Sequence, residues 1–182
     1  MWSAWGGPGL GHLRLAVRES GIIADGLVLG VTEGRPFRLA YEVRCDARWR
    51  VRAARVGVPG EPPKVELLSD GEGEWTASDG RALPHLRGCR YVDISVTPFT
   101  NTLAIRRLRL PPGGSAEISV VYFDATDVQP WPEPQRYTRL DRDSREILYR
   151  FESLDGGFTA DLPVDADGLV LDYPGLFRRA AI

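Results

Sequence analysis

The sequence predicts an all-β fold, a large antiparallel sheet or barrel with at most one or two short helices. Three observations carry that prediction. Long stretches alternate apolar and polar residues with the period of a half-buried strand, as in Phe37, Leu39, Tyr41, Val43 and Cys45 against Arg38, Glu42 and Arg44. The pair Asp-Gly occurs five times, at residues 25, 70, 79, 155 and 167, mostly between such runs, which is the strongest short-range hairpin signal. No stretch sustains the period of a long helix, and 20 glycines and 14 prolines punctuate the chain. A length of 182 residues suits one domain, 1–182, with a single core.

The elements follow in order. Residues 12–17 alternate, with Leu13, Leu15 and Val17 on one face. Residues 22–32 are more apolar, and Asp25-Gly26 inside them signals a tight turn or bulge. Residues 37–45 form a strand that ends at a hairpin tip, Asp46-Ala47. Residues 48–58 return from it with Trp49, Val51 and Ala53 opposite an arginine comb of Arg48, Arg50 and Arg52. Short strands are expected at 64–68 and 74–77, an irregular stretch at 83–88, and a strand at 91–96.

The stretch 97–108 breaks the pattern. It sets a proline, three threonines, Asn101, Arg106 and Arg107 among apolar residues, and it admits one short helix within 97–107, with Thr97 as cap and Pro98 in the first position. Residues 116–123 are a strong strand. Residues 127–134, with Trp131 between prolines, read as a loop and a mobile lip. Two hairpins close the chain. One joins 135–140 to 146–152 around residues 141–144; the other joins 158–164 to 169–173 through 165–168. Pro174-Gly175 ends the ordered pattern.

Composition narrows the function. The net charge is −2 and the pI near 5.8, which does not draw the chain towards nucleic acid. Arg48-Trp49-Arg50 and Tyr137-Thr138-Arg139 mix basic and aromatic residues, yet alternation puts Trp49 opposite its arginines. Lys64 is the single lysine, so basic recognition here means arginine, a planar fork for carboxylate or phosphate. The N-terminus lacks the basic and apolar segments of an export signal, and no apolar run is long enough for a spanning helix. The expected setting is cytoplasmic, with Cys45 and Cys89 reduced.

Familiar catalysis is not indicated. The cysteines and the two histidines, His12 and His85, show no zinc spacing. No GxSxG elbow or phosphate loop is present. Asp165-Ala166-Asp167-Gly168 opens like a calcium loop, but Val170 and Leu176 stand where its glycine and glutamate belong. No metal, cofactor or catalytic residue is assigned. A curved sheet can instead bind an amphipathic small molecule, with Tyr41, Trp49, Trp75, Tyr122, Tyr149 and Phe151 lining an apolar face. Asn101, Arg106, Arg107 and Arg139 would take a polar head group. The alternative is that these faces fill a closed core.

Several segments together resemble a known family. They are 93–103 followed by Ile105-Arg106-Arg107-Leu108, then Tyr41-Glu42-Val43 with Trp49-Arg50-Val51-Arg52, then 135–140, then Asp165 with 167–177. They resemble the bacterial family described as putative glycolipid-binding proteins, formerly a domain of unknown function. Ala104 departs from it, where proline is expected. The resemblance implies a large antiparallel sheet curled into a half-barrel, similar to lipoprotein- and lipid-carrier folds, and a glycolipid ligand. It marks Arg50, Asn101, Arg106, Arg107, Arg139 and Tyr173 as candidate ligand contacts. Arg106 or Arg107 could equally pair with Asp93 or Asp172 and pin the crossover. The leading expectation is non-enzymatic binding or carriage of an amphipathic ligand. A second is an enzyme acting on a small polar or acyl substrate in the same cavity, using Asp93, Arg107 or Cys89. A third is an interaction module built on the Trp131 loop and a sheet edge.

Overall fold

The computed structural model describes residues 1–140 and 147–180. Among these residues, fourteen strands form two sheets around one continuous cluster of buried side chains. The first sheet is antiparallel throughout. Its strands are β1 (Trp2–Ala4), β2 (Gly9–Arg18), β3 (Gly21–Thr32), β4 (Arg35–Cys45), β5 (Val51–Gly57), β6 (Val65–Ser69) and β7 (Trp75–Ala77), joined later by β13 (Asp172–Tyr173) and β14 (Phe177–Arg179). They stand in the order β13-β14-β1-β2-β3-β4-β5-β6-β7. The second sheet holds β8 (Tyr91–Ile94), β9 (Ser115–Phe123), β10 (Trp131–Leu140), β11 (Ile147–Ser153) and β12 (Thr159–Val164), in the order β12-β11-β10-β9-β8. The result is the all-β half-barrel that the pattern and the resemblance lead one to expect.

The helix α1 (Phe99–Leu108) lies where the topology needs it. β8 and β9 are paired in parallel, with Asp93 beside Tyr122. Parallel neighbours cannot be joined by a hairpin; they need a crossover, usually helical. That is why 97–108 departs from strand periodicity. The helix starts one residue later than expected, so Pro98 rather than Thr97 is the cap, and Thr97 Oγ1 accepts the Phe99 amide at 3.3 Å from the position before it. Residues Phe99 to Ile105 are buried, and the Phe99 ring stacks on Tyr41 of β4 at 6.5 Å. The helix therefore fills the concave side of the first sheet, and Tyr41 Oη completes the link to Thr97 Oγ1 at 3.0 Å.

Four local expectations are corrected. Asp25-Gly26 is neither a turn nor a bulge, because β3 runs straight through it opposite Glu42 and Tyr41. Gly26 serves packing instead: the Tyr41 ring lies across it, and a Cβ there would fall 2.0 Å from Tyr41 Cζ. Trp49 is not on a strand face. It sits buried in the turn after Asp46 at φ 62°, and β5 begins two residues later behind a bulge at Arg44/Cys45. The second half of 127–134 is strand rather than loop, since Trp131 pairs with Tyr122. β10 tolerates Pro132 and Pro134 because β11 joins it only at Gln135 and leaves that edge open. Order does not end at Pro174-Gly175, because β14 pairs with β1 and closes the two ends of the chain together. The hairpin tip expected at 141–144 lies outside the described residues.

Candidate functional site

Glu133, Gln135 and Tyr137 alternate along β10, so all three point to the same side of the second sheet. That side meets β8 and α1. Tyr137 Oη donates to Asn101 Oδ1 at 2.8 Å. Gln135 Nε2 donates to Asp93 Oδ2 at 2.7 Å, and Thr100 Oγ1 to Asp93 Oδ1, also at 2.7 Å. Ser153 of β11, registered against Gln135, donates its hydroxyl to Glu133 Oε1 at 3.0 Å. One polar stripe thus ties β8, α1, β10 and β11 together.

Part of this stripe is open. A cavity of about 470 Å³ lies where β8–β11 meet the C-terminal strands. Asp93, Ser95, Thr97, Asn101, Asp124, Glu133 and Ser153 contribute its polar surface. Aromatic rings form its walls. Tyr122 and Trp131 face each other across β9 and β10 at 4.9 Å. Phe151 and Tyr173 meet edge-on at 6.2 Å, and Phe158 and Phe177 extend the cluster from Tyr173 at 6.1 and 6.2 Å. Trp131, Phe158 and Leu176 are 39% exposed and sit at the mouth.

The electrostatics of the cavity are acidic. Burial pushes the Asp93 carboxyl above the ordinary aspartate range, against the pull of its Thr100 and Gln135 hydrogen bonds. Protein surrounds Asp93 densely, yet it is only half-buried because the cavity opens onto it. Glu133 is raised by burial, opposed by its Ser153 bond and reinforced by the charge of Asp93. Burial also raises the Tyr122 and Tyr173 phenols. Among the described residues no arginine or lysine lines the cavity. No group of three or more histidine, cysteine, aspartate or glutamate side chains is arranged to hold a metal ion among them.

The sequence-predicted contacts separate into three places. Asn101 and Tyr173 line the cavity. Arg50 pairs with Asp46 at 2.7 Å and Glu72 at 2.8 Å. Arg107 reaches Glu72 at 3.6 Å, donates to the Gly71 carbonyl and lies over Tyr91, so it pins α1 to the β6–β7 turn rather than to Asp93 or Asp172. Arg106 covers the Trp49 ring at 5.1 Å, and Arg139 donates to the Leu110 carbonyl at 3.0 Å. Arg106 and Arg139 share a separate hollow of about 290 Å³ with Arg109. Tyr41 and Trp75 are buried, and the Trp75 indole donates to the Cys89 carbonyl at 2.7 Å. Cys45 and Cys89 are free and buried, and burial pushes the Cys45 thiol up to about 12.

Glu133, Ser153, Phe158 and Phe177 were not singled out by sequence. The period-two run Glu133-Gln135-Tyr137 carries the signal, but the intervening prolines disguise a strand as a loop. Among the described residues no helix is long and apolar enough to cross a membrane.

Comparison with known proteins agrees with this fold. A crystal structure of a DUF1089 family protein from Pseudomonas aeruginosa has the same fold, with a TM-score of 0.84 and 42% sequence identity, covering 94% of this chain and 92% of that one. No match was found among curated proteins. The model of the family described as "Putative glycolipid-binding" matches residues 1–179. A match of that extent, on a fold shared with a solved relative, places the chain in the family described as putative glycolipid-binding.

Proposed function

We propose that the protein binds or carries, without catalysis, an amphipathic small molecule whose head group is an uncharged polyol such as a sugar, seated in the cavity between β8–β11 and the C-terminal strands. The observation that carries this reading is the pairing of aromatic walls with a carboxyl, amide and hydroxyl floor in one cavity of about 470 Å³, a volume ordinary for a small-molecule site. Sugar hydroxyls donate to carboxylates and accept from hydroxyls and amides. The ring's C–H face suits an aromatic wall. An anionic head group would meet Asp124, whose carboxylate is favoured by hydrogen bonds from its own loop, beside the carboxyls of Asp93 and Glu133, which disfavours phosphate. Asn101, Tyr122, Phe151 and Tyr173, all expected from sequence, are assigned to this contact, with Asp93, Glu133, Ser153 and Trp131 beside them.

The test is a calorimetric titration of octyl β-D-glucopyranoside below its micelle concentration, with a single-chain phosphatidic acid as comparison. Saturable binding of the glucoside and none of the anion is the expected result. Binding of the anion alone would sink the reading and return the head group to the arginine hollow.

An enzymatic reading has one observation in its favour, the two carboxyls with raised pKa facing one cavity. The rich aromatic lining and the absence of an arginine beside Asp93 among the described residues favour binding. Intact glucoside recovered after long incubation is the expected outcome; release of glucose would establish the enzyme.

A further inference from the structure

A second cavity, of about 270 Å³, abuts the first and shares Ser95, Asp124, Leu176 and Phe177 with it. We infer that this second cavity holds the single alkyl chain of the ligand whose head group occupies the first. The inference rests on the binding function proposed above and adds the orientation and the chain number.

The chemistry of the two cavities differs in the way such a ligand requires. The second is walled by Trp2, Leu10, Val28, Phe37, Val96 and Ala125. Its floor is flattened by glycines. Gly30 is registered against Phe37, and a Cβ there would lie 2.8 Å from the Phe37 ring, so the ring can lie flat across the strand only over glycine. Asp124 is the one charged residue among the described lining residues.

The threshold contains two polar side chains, and the backbone engages an oxygen of each. Asp124 Oδ1 is turned into its own loop, where it accepts the Thr126 amide at 2.8 Å. Ser95 Oγ accepts the Ala125 amide at 3.1 Å. With these groups engaged by backbone, Leu176 and Phe177 are left to form the passage. Beyond it the second cavity reaches Leu29 and Val31, which are 49% and 45% exposed. The path from Asp93 to this strip therefore runs polar to apolar in one direction. Its volume falls just under the usual range for a whole small-molecule ligand, which suits one chain rather than two.

The experiment is a titration with methyl, hexyl, octyl and decyl β-D-glucopyranosides, each below its micelle concentration, against the native chain, Gly11→Leu and Ala125→Leu. Gly11 faces Val28 across β2 and β3, and a Cβ there meets Val28 Cγ2 at 3.7 Å and the Trp2 carbonyl at 3.8 Å, both ordinary contacts. A side chain can thus start from this position without its Cβ disturbing the strands, and a thermal melt verifies that each variant folds. In the native chain, each added methylene is expected to tighten binding about fourfold until the cavity is full. Both variants are expected to flatten that dependence and to leave methyl glucoside binding unchanged. Equal affinity along the series, or a chain-length dependence that survives in both folded variants, would overturn the chain site while leaving the head-group site standing. Failure of every glucoside to bind would overturn both.

Discussion

Gly26 and Tyr41 show how a single residue can mislead a sequence and still organise a fold. Asp-Gly is a hairpin signal because glycine accepts a positive φ, but Gly26 is present for the room it leaves to an aromatic ring. Replacing it by alanine puts a methyl group inside the Tyr41 ring position. Gly26→Ala is expected to cost about 1–3 kcal/mol by overpacking, read as a lowered urea midpoint. Because Tyr41 also holds Thr97 at the start of α1, the loss should be accompanied by a change in the near-ultraviolet signal of the aromatic core. An unchanged midpoint would mean that the ring can move aside.

Asp93 makes a second prediction at the same scale. Its folded pKa is raised by burial. Its contribution to stability is therefore fully present below the ordinary aspartate pKa and is lost as pH rises through the raised folded value. Asp93→Asn removes the titration. The stability of Asp93→Asn relative to the native chain should then rise with pH across that window. A constant difference would show that Asp93 titrates as it does in the unfolded chain.

Elements were legible in proportion to how local their causes are. The hairpin between β3 and β4 and the turns at Gly71, Gly80 and Gly168 follow from alternation and from glycines at φ 84°, 84° and 76°. α1 was placed within a residue at its start, because Thr97 and Pro98 signal it locally. The start of β10 was missed, since prolines are excluded only from a fully paired strand, and its open edge is a fact of the assembled sheet. β14 was missed because its partner β1 lies at the other end of the chain. The arginines of the crossover show the same limit. Arg107 was legible as important, but its partners Glu72 and Gly71 lie on a distant turn. Arg107→Ala is expected to destabilise the fold by about 1–2 kcal/mol through the lost charged hydrogen bond and ring contact. Glucoside affinity in the folded protein should be unaffected, as measured by parallel denaturation and calorimetry. A weakened affinity with unchanged stability would give Arg107 a ligand role instead.

At the scale of the whole molecule, the cavity exists because the chain ends meet beside the second sheet. Trp2 donates its indole N–H to the Val170 carbonyl at 2.8 Å, and β14 lies between β1 and β13, so Tyr173, Leu176 and Phe177 come to face Trp131 and Phe158. No local pattern announces that meeting, which is why Asn101 and Tyr173 could be named from sequence while Glu133 and Phe158 could not. Trp131 is among the wall residues most open to solvent, so it can be truncated with little cost to the core. Trp131→Ala is expected to weaken octyl glucoside binding about tenfold, as loss of an aromatic anchor does, with a melting temperature close to that of the native chain. Unchanged affinity would move the ligand away from this wall.

The most direct measurement is native mass spectrometry of the protein purified without detergent, followed by organic extraction of whatever is bound. The expected result is a reproducible adduct, lost on heating, whose extract contains a single-chain amphiphile with an uncharged polyol head group. A phosphorylated or otherwise anionic lipid as the sole adduct would contradict the acidic cavity as the head-group site. A protein that is free of adduct and that also fails to take up octyl glucoside would contradict the binding function itself.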